Sequence, residues 1–85
     1  MRIELELFGA LRGVEPHDRL VLEVDGACVA DLRRAVATHA AANWPGIAPG
    51  LLQRCAFATP TQVLRDAEPL PPDGRMAILP PVSGG

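Results

Sequence analysis

The stretch "DGRMAILPPVSGG", residues 73–85, decides how the rest of the chain is read. Asp73-Gly74 is a turn pair. Met76 to Leu79 is an apolar run that reads as a strand, and Pro80-Pro81 end it because neither can donate to a ladder. The other regular apolar run opens the chain. In residues 2–8, "RIELELF", Ile3, Leu5 and Leu7 alternate with Arg2, Glu4 and Glu6, the period of a half-buried strand. If these first and last strands lie side by side they must be parallel, and a parallel pair needs a long crossover.

The intervening sequence supplies one. Residues 9–18, "GALRGVEPHD", hold two glycines and a proline and read as a loop. Residues 19–24, "RLVLEV", put Leu20, Leu22 and Val24 on one face, which predicts a hairpin with the first strand. After Asp25-Gly26 the period changes, and Val29, Leu32, Val36 and Ala40 recur at helical spacing. Cys28 stands where a Ser or Thr cap is usual, and Asp31 follows three residues on, where a carboxylate meets the exposed amides of a first turn. The helix is expected to fade by Asn43, ahead of Trp44-Pro45-Gly46.

Residues 45–50 read as loop, and residues 51–57 are ambiguous: they could open with a helical turn, with a strand favoured over residues 55–59. Pro60-Thr61 turns the chain into a short partner strand at residues 62–64, and residues 66–75 are loop. Strand, strand, helix, two strands and a final strand, with the helix across one sheet face, is an α+β β-grasp, the ubiquitin-like architecture. The expected division is a β-grasp domain over residues 1–81 and a flexible Gly-Gly tail over residues 82–85.

Composition bounds the function. The 85 residues make one domain large enough for a modest core, and the 48% hydrophobic content argues against disorder. Phe8, Phe57 and Trp44 are the only aromatics, so the core must be aliphatic. A net charge of −2 with no basic cluster sets nucleic-acid binding aside. The opening residues are no signal-peptide core, and no run approaches a membrane span. A cytoplasmic protein with reduced Cys28 and Cys55 is expected, and two isolated cysteines lack metal-site spacing.

The tail carries the chemistry. A carboxylate becomes an acyl donor once ATP converts it to an acyl-adenylate, and the activating enzyme must enclose it. Gly84 and Gly85 give a thin tip that such a channel can admit. Pro80 and Pro81 hold its base extended, so less entropy is lost on insertion. This reading takes Gly85 as the terminal residue.

Together, "FGALR" (residues 8–12), "VADLRRAV" (residues 29–36), the "DG" turn and "PPVSGG" resemble the small subunit of molybdopterin synthase, the MoaD family, a relative of the thiazole-forming ThiS carriers. The resemblance spans nearly the whole chain. It implies a sulfur carrier: a MoeB-like adenylating enzyme activates Gly85 with ATP, and a persulfide sulfur donor leaves a thiocarboxylate there. A MoaE-like large subunit then accepts the tail, Pro80 through Gly85 with Val82 and Ser83 between, and builds the molybdopterin dithiolene. The small subunit is not catalytic by itself and holds no tightly bound cofactor. The family's docking patch matches Phe8, Val63 and Leu79 here. Two departures stand out: "ATPTQ" (residues 58–62) lacks an Asn frequent between the middle strands, and Leu79 replaces an aromatic that often precedes Pro-Pro. Arg12 matches a recurrent family position, with contact to a partner carboxylate and plain exposure equally open.

Alternatives stay open. The terminal "PPVSGG" and the chain length favour the molybdopterin-synthase reading; the alternatives are a carrier for another sulfur pathway, such as thiazole or cysteine synthesis, a ubiquitin-like modifier of other proteins, or an interaction module with an inert tail. All eight basic residues are arginines. Codon bias accounts for that, although a lysine-free chain also avoids acylating itself. Cys28 reads as a capping residue, Cys55 as core, and His17 and His39 as solvated. Glu4, Glu6 and Glu23 read as a solvent-facing stripe.

Overall fold

The computed structural model describes residues 1–81, so the Val82, Ser83, Gly84 and Gly85 expectations lie outside the described residues. Strands β1 (Arg2–Leu7), β2 (Arg19–Glu23), β3 (Ala56–Ala58), β4 (Val63–Leu64) and β5 (Arg75–Leu79) form one sheet in the order β2-β1-β5-β3-β4. Helices α1 (Val29–Asn43) and α2 (Pro49–Gln53) and two short 3-10 turns, Gly9–Leu11 and Pro16–Asp18, complete the described fold. β1 pairs antiparallel with β2 and parallel with β5, with Leu5 opposite Met76 and Leu7 opposite Ile78. The expected β-grasp is the fold observed.

Alternation builds the core. Ile3, Leu5 and Leu7 of β1, Met76 and Ile78 of β5, and Phe57 of β3 turn to one face, where Val29, Leu32, Val36 and Ala40 of α1 meet them. Each fully buried aliphatic side chain contributes about 1.5–3 kcal/mol. Gly74 sets the start of β5. Its φ is +70°, a side chain there would run into the Arg2 carbonyl, and its own carbonyl accepts the Glu4 N–H at 2.7 Å. Glycine is required at that close approach.

The start of α1 is built as its sequence indicated. The Ala27 and Cys28 amides donate to Asp31 Oδ2 at 3.0 and 3.2 Å, and the Cys28 thiol donates to the same oxygen at 3.3 Å. These bonds, the Cys28 amide foremost, hold the Asp31 carboxyl below its ordinary range. The Trp44 amide bonds the Ala40 carbonyl and closes the helix's far end.

Three readings need correction. Residues 49–53 are helical, whereas Pro49 and Gly50 were expected in a loop: proline suits a first helical position, where its missing N–H costs nothing. The strands around the 59–62 turn are shorter than read, ending at Ala58 and starting at Val63, because the Thr59 amide bonds the Gln62 carbonyl and closes the turn early. His39 is not simply solvated. Its Nε2 lies 2.8 Å from Glu15 Oε2, its ring meets Trp44 edge-on, and it stands only 23% exposed. His17 is exposed as expected.

Arg33 does a job that its place in a polar helix face did not announce. Its guanidinium donates to the Leu52 and Cys55 carbonyls at 3.1 and 2.8 Å and to Asp66 Oδ1 at 2.8 Å, and lies 4.9 Å from the centre of the Phe57 ring. One side chain thereby ties α1 to α2, to the entry of β3 and to the segment after β4. That half-buried end is tolerable because its donors are matched to carbonyls and a carboxylate.

Candidate functional site

No described element covers the sheet face away from α1. The register puts Glu6, Ala77, Ala58 and Val63 in one row across β1, β5, β3 and β4, and Leu79 opposite Ala56 in the next. Phe8 follows Leu7 in extended conformation (φ −123°, ψ 165°), so the alternation carries past the strand end and turns its ring to this same face. The three residues singled out for docking, Phe8, Val63 and Leu79, therefore share one surface. Val63 is 62% exposed, while Phe8 and Leu79 are half-buried.

Small side chains shape the middle of that surface. Ala58 and Ala77, with Glu6, Phe8, Thr59, Pro60, Arg75 and Met76 around them, line a hollow of about 340 Å³. Two alanines in adjacent strands leave the depression, and Glu6 and Arg75 give it a charged rim. Sequence reading missed the alanines, although the alternation in "AFA" around buried Phe57 was the signal for them. β5 leaves the sheet beyond Leu79, at the end where Phe8 follows β1. Pro80 is half-buried near Gly9 and Pro81 is exposed, so the described chain ends at the border of the apolar patch.

No other cluster among the described residues competes with this face. None of their His, Cys, Asp and Glu side chains group as metal ligands. Cys55 is buried, and that burial pushes its thiol up, away from the reactive thiolate. Cys28 is committed to the α1 cap, and Arg12 is exposed. Glu6 and Glu23 are exposed and Glu4 partly so, as the expected solvent stripe; Glu4 pairs with Arg19 at 2.9 Å and Glu23 with the Met1 ammonium at 3.3 Å. No described helix is long and apolar enough to cross a membrane.

A mixed five-stranded sheet, one long helix over one face, an open apolar patch on the other and a Gly-Gly stretch beyond the last strand define a ubiquitin-like β-grasp protein. The chain belongs to the ThiS family, which it matches over residues 5–85. It is 35% identical over 86 residues to a molybdopterin synthase sulfur carrier subunit from Synechococcus elongatus, covering 98% of this chain and 96% of that protein. Two solved structures share the fold over the full length of both chains. SAMP1 from Haloferax volcanii superposes with a TM-score of 0.67 at 22% identity. A chain of the complex between subunits 1 and 2 of molybdopterin-converting factor from Helicobacter pylori superposes with a TM-score of 0.55 at 23% identity. The family membership read from the terminal and helical motifs is borne out.

Proposed function

We propose that this chain is the sulfur carrier subunit of a molybdopterin synthase. Its own contribution is a reachable acyl group and a surface to present it. The Gly85 carboxylate attacks the α-phosphorus of ATP on a MoeB-like adenylating enzyme, giving an acyl-adenylate and releasing pyrophosphate. The outer sulfur of a persulfide displaces AMP, and a second thiol cleaves the resulting S–S bond to leave the thiocarboxylate. ATP belongs to the activating partner; the carrier binds no cofactor tightly. The loaded tail then enters a MoaE-like large subunit, and all these partners meet it in the cytoplasm.

One observation carries the reading: Phe8, Val63 and Leu79 lie on the same uncovered face from whose border Pro80 and Pro81 lead the chain away. A partner gripping that patch receives the tail in a fixed direction. The relative from Synechococcus elongatus supports the particular pathway through its name. The test is intact-mass measurement after incubation with the adenylating enzyme, ATP and a persulfide donor. The expected product has one oxygen exchanged for sulfur at Gly85, and tight capture of the carrier by the large synthase subunit accompanies it. A chain left unchanged while a control carrier is converted refutes the carrier role. Conversion without capture by that subunit assigns it to another sulfur pathway.

A further inference from the structure

The sheet has two edges, and they are not alike. β4 is two residues long, whereas β2 runs five residues with nothing described beyond it. Met1 and Val24 exchange both backbone hydrogen bonds, at 2.7 and 2.8 Å. Bonded pairs in an antiparallel ladder recur every second residue, so Leu22 with Ile3 and Leu20 with Leu5 are the next ones. The main-chain groups of Arg19, Val21 and Glu23 therefore face away from β1. The Arg19 N–H is taken by the Pro16 carbonyl, but the Arg19 carbonyl and both groups of Val21 and Glu23 bond no described residue. Val21 is 47% exposed on this edge.

We propose that two copies of this chain join edge to edge through β2, antiparallel about Val21, into one continuous sheet. The strand "RLVLE" is complementary to itself in that register. Val21 exchanges both backbone bonds with Val21 of the second copy, and each Glu23 N–H donates to the opposite Arg19 carbonyl. On the open face Arg19 stands across from Glu23 of the other chain. Within each chain Arg19 stands in register with Glu6 on β1 and Glu23 with Arg2, while their ion pairs run to Glu4 and to the Met1 ammonium. The charges across four strands then run Glu6, Arg19, Glu23, Arg2, alternating in sign, and the two-fold axis repeats the row. Opposite charges facing across strands stabilise a ladder and like charges oppose it. On the helix side Leu20 meets Leu22 of the second copy. That covers Leu22, half-exposed at the rim of a groove it shares with Ala35 and Thr38. Such an isologous contact closes on itself and builds no fibre. β2 and β4 lie at opposite edges of the sheet, so pairing through β2 leaves Val63 and the tail's departure point uncovered.

This assembly is independent of the sulfur-carrier role, and sedimentation of the full chain tests it. The expected mass rises from monomer toward dimer between about 1 µM and 1 mM. Val21→Pro keeps the β1 ladder, because the lost N–H faces outward, and it abolishes the rise. Glu23→Arg sets arginines opposite each other and Arg19→Glu sets glutamates opposite each other, so each weakens self-association by about tenfold or more. An equimolar mixture of those two variants restores the dimer, since both charge pairs that face each other between the two chains are again of opposite sign. A wild-type chain that stays monomeric over the whole range overturns the proposal. So does a dimer that survives Val21→Pro, or a mixture of folded charge variants that remains monomeric.

Discussion

Replacing Glu15 with alanine removes the acceptor that pins the loop between β1 and β2 to the end of α1. Its Oε2 takes the Trp44 indole N–H at 2.7 Å and lies 2.8 Å from His39 Nε2. Trp44 is 2% exposed, so its donor cannot turn to bulk water when the carboxylate goes. An orphaned buried donor costs about 1–3 kcal/mol, and the lost bonds involve a charged acceptor, so Glu15→Ala is expected to destabilise the fold by about 2–3 kcal/mol. In a domain of this size that is a fall in Tm of roughly 10–20 °C. Glu15→Gln keeps an acceptor for the indole and costs about 1 kcal/mol. The His39 and Trp44 bonds hold the Glu15 carboxyl below its ordinary value of 4.5. Its contribution is therefore whole above that value and fades as pH falls through the lowered folded-state range. The gap between wild type and Glu15→Gln should close over the same acid range. Urea unfolding at neutral pH and in mild acid measures all three chains. A Glu15→Ala chain within about 0.5 kcal/mol of wild type, or a gap that ignores pH, refutes the clasp.

Three further outcomes are expected. Val63→Asp should leave stability within about 0.5 kcal/mol, because the side chain is largely exposed, yet weaken capture by the large synthase subunit about tenfold, measured by calorimetry. Removing Gly84 and Gly85 should abolish thiocarboxylate formation in the intact-mass assay with Tm unchanged, since the described core closes between Ile3 and Ile78. Gly74→Ala combines positive φ with a side chain against the Arg2 carbonyl; a loss of about 1–3 kcal/mol by urea unfolding is expected, with the strain at the head of β5.

The elements that alternate or repeat were readable from sequence, and those held by distant partners were not. "RIELEL" announces a half-buried strand because every second residue is apolar, and the parallel β1–β5 pairing followed from it. The docking face was readable for the same reason: Phe8 falls opposite Leu7 by simple alternation. Glu15, His39 and Trp44 carry no such signal. They meet across sequence separations of 24 and 29 residues, and a lone histidine near a helix end gives no hint of its carboxylate. Arg33 was equally opaque, because a helix-face arginine looks alike whether it points to water or collects carbonyls from two other elements. The short helix α2 was half legible: a helical turn from Leu51 was open, but Pro49 and Gly50 sit in a stretch whose composition reads as loop, although proline at a first helical position is compatible with either.

The parallel contact between β1 and β5 also governs when the molecule can exist during synthesis. Residues made first find their central neighbour only after residues 75–79 have left the ribosome. Until then β1 has β2 alone, and β3 and β4 have no link to the rest of the sheet, because β5 is the strand that joins them. A nascent chain halted before that point has two unconnected strand pairs, β1–β2 and β3–β4, and helices without a sheet to cover, all exposed to proteolysis. A closed domain thus arises only in chains whose translation has passed the final strand, within a few residues of Gly84 and Gly85.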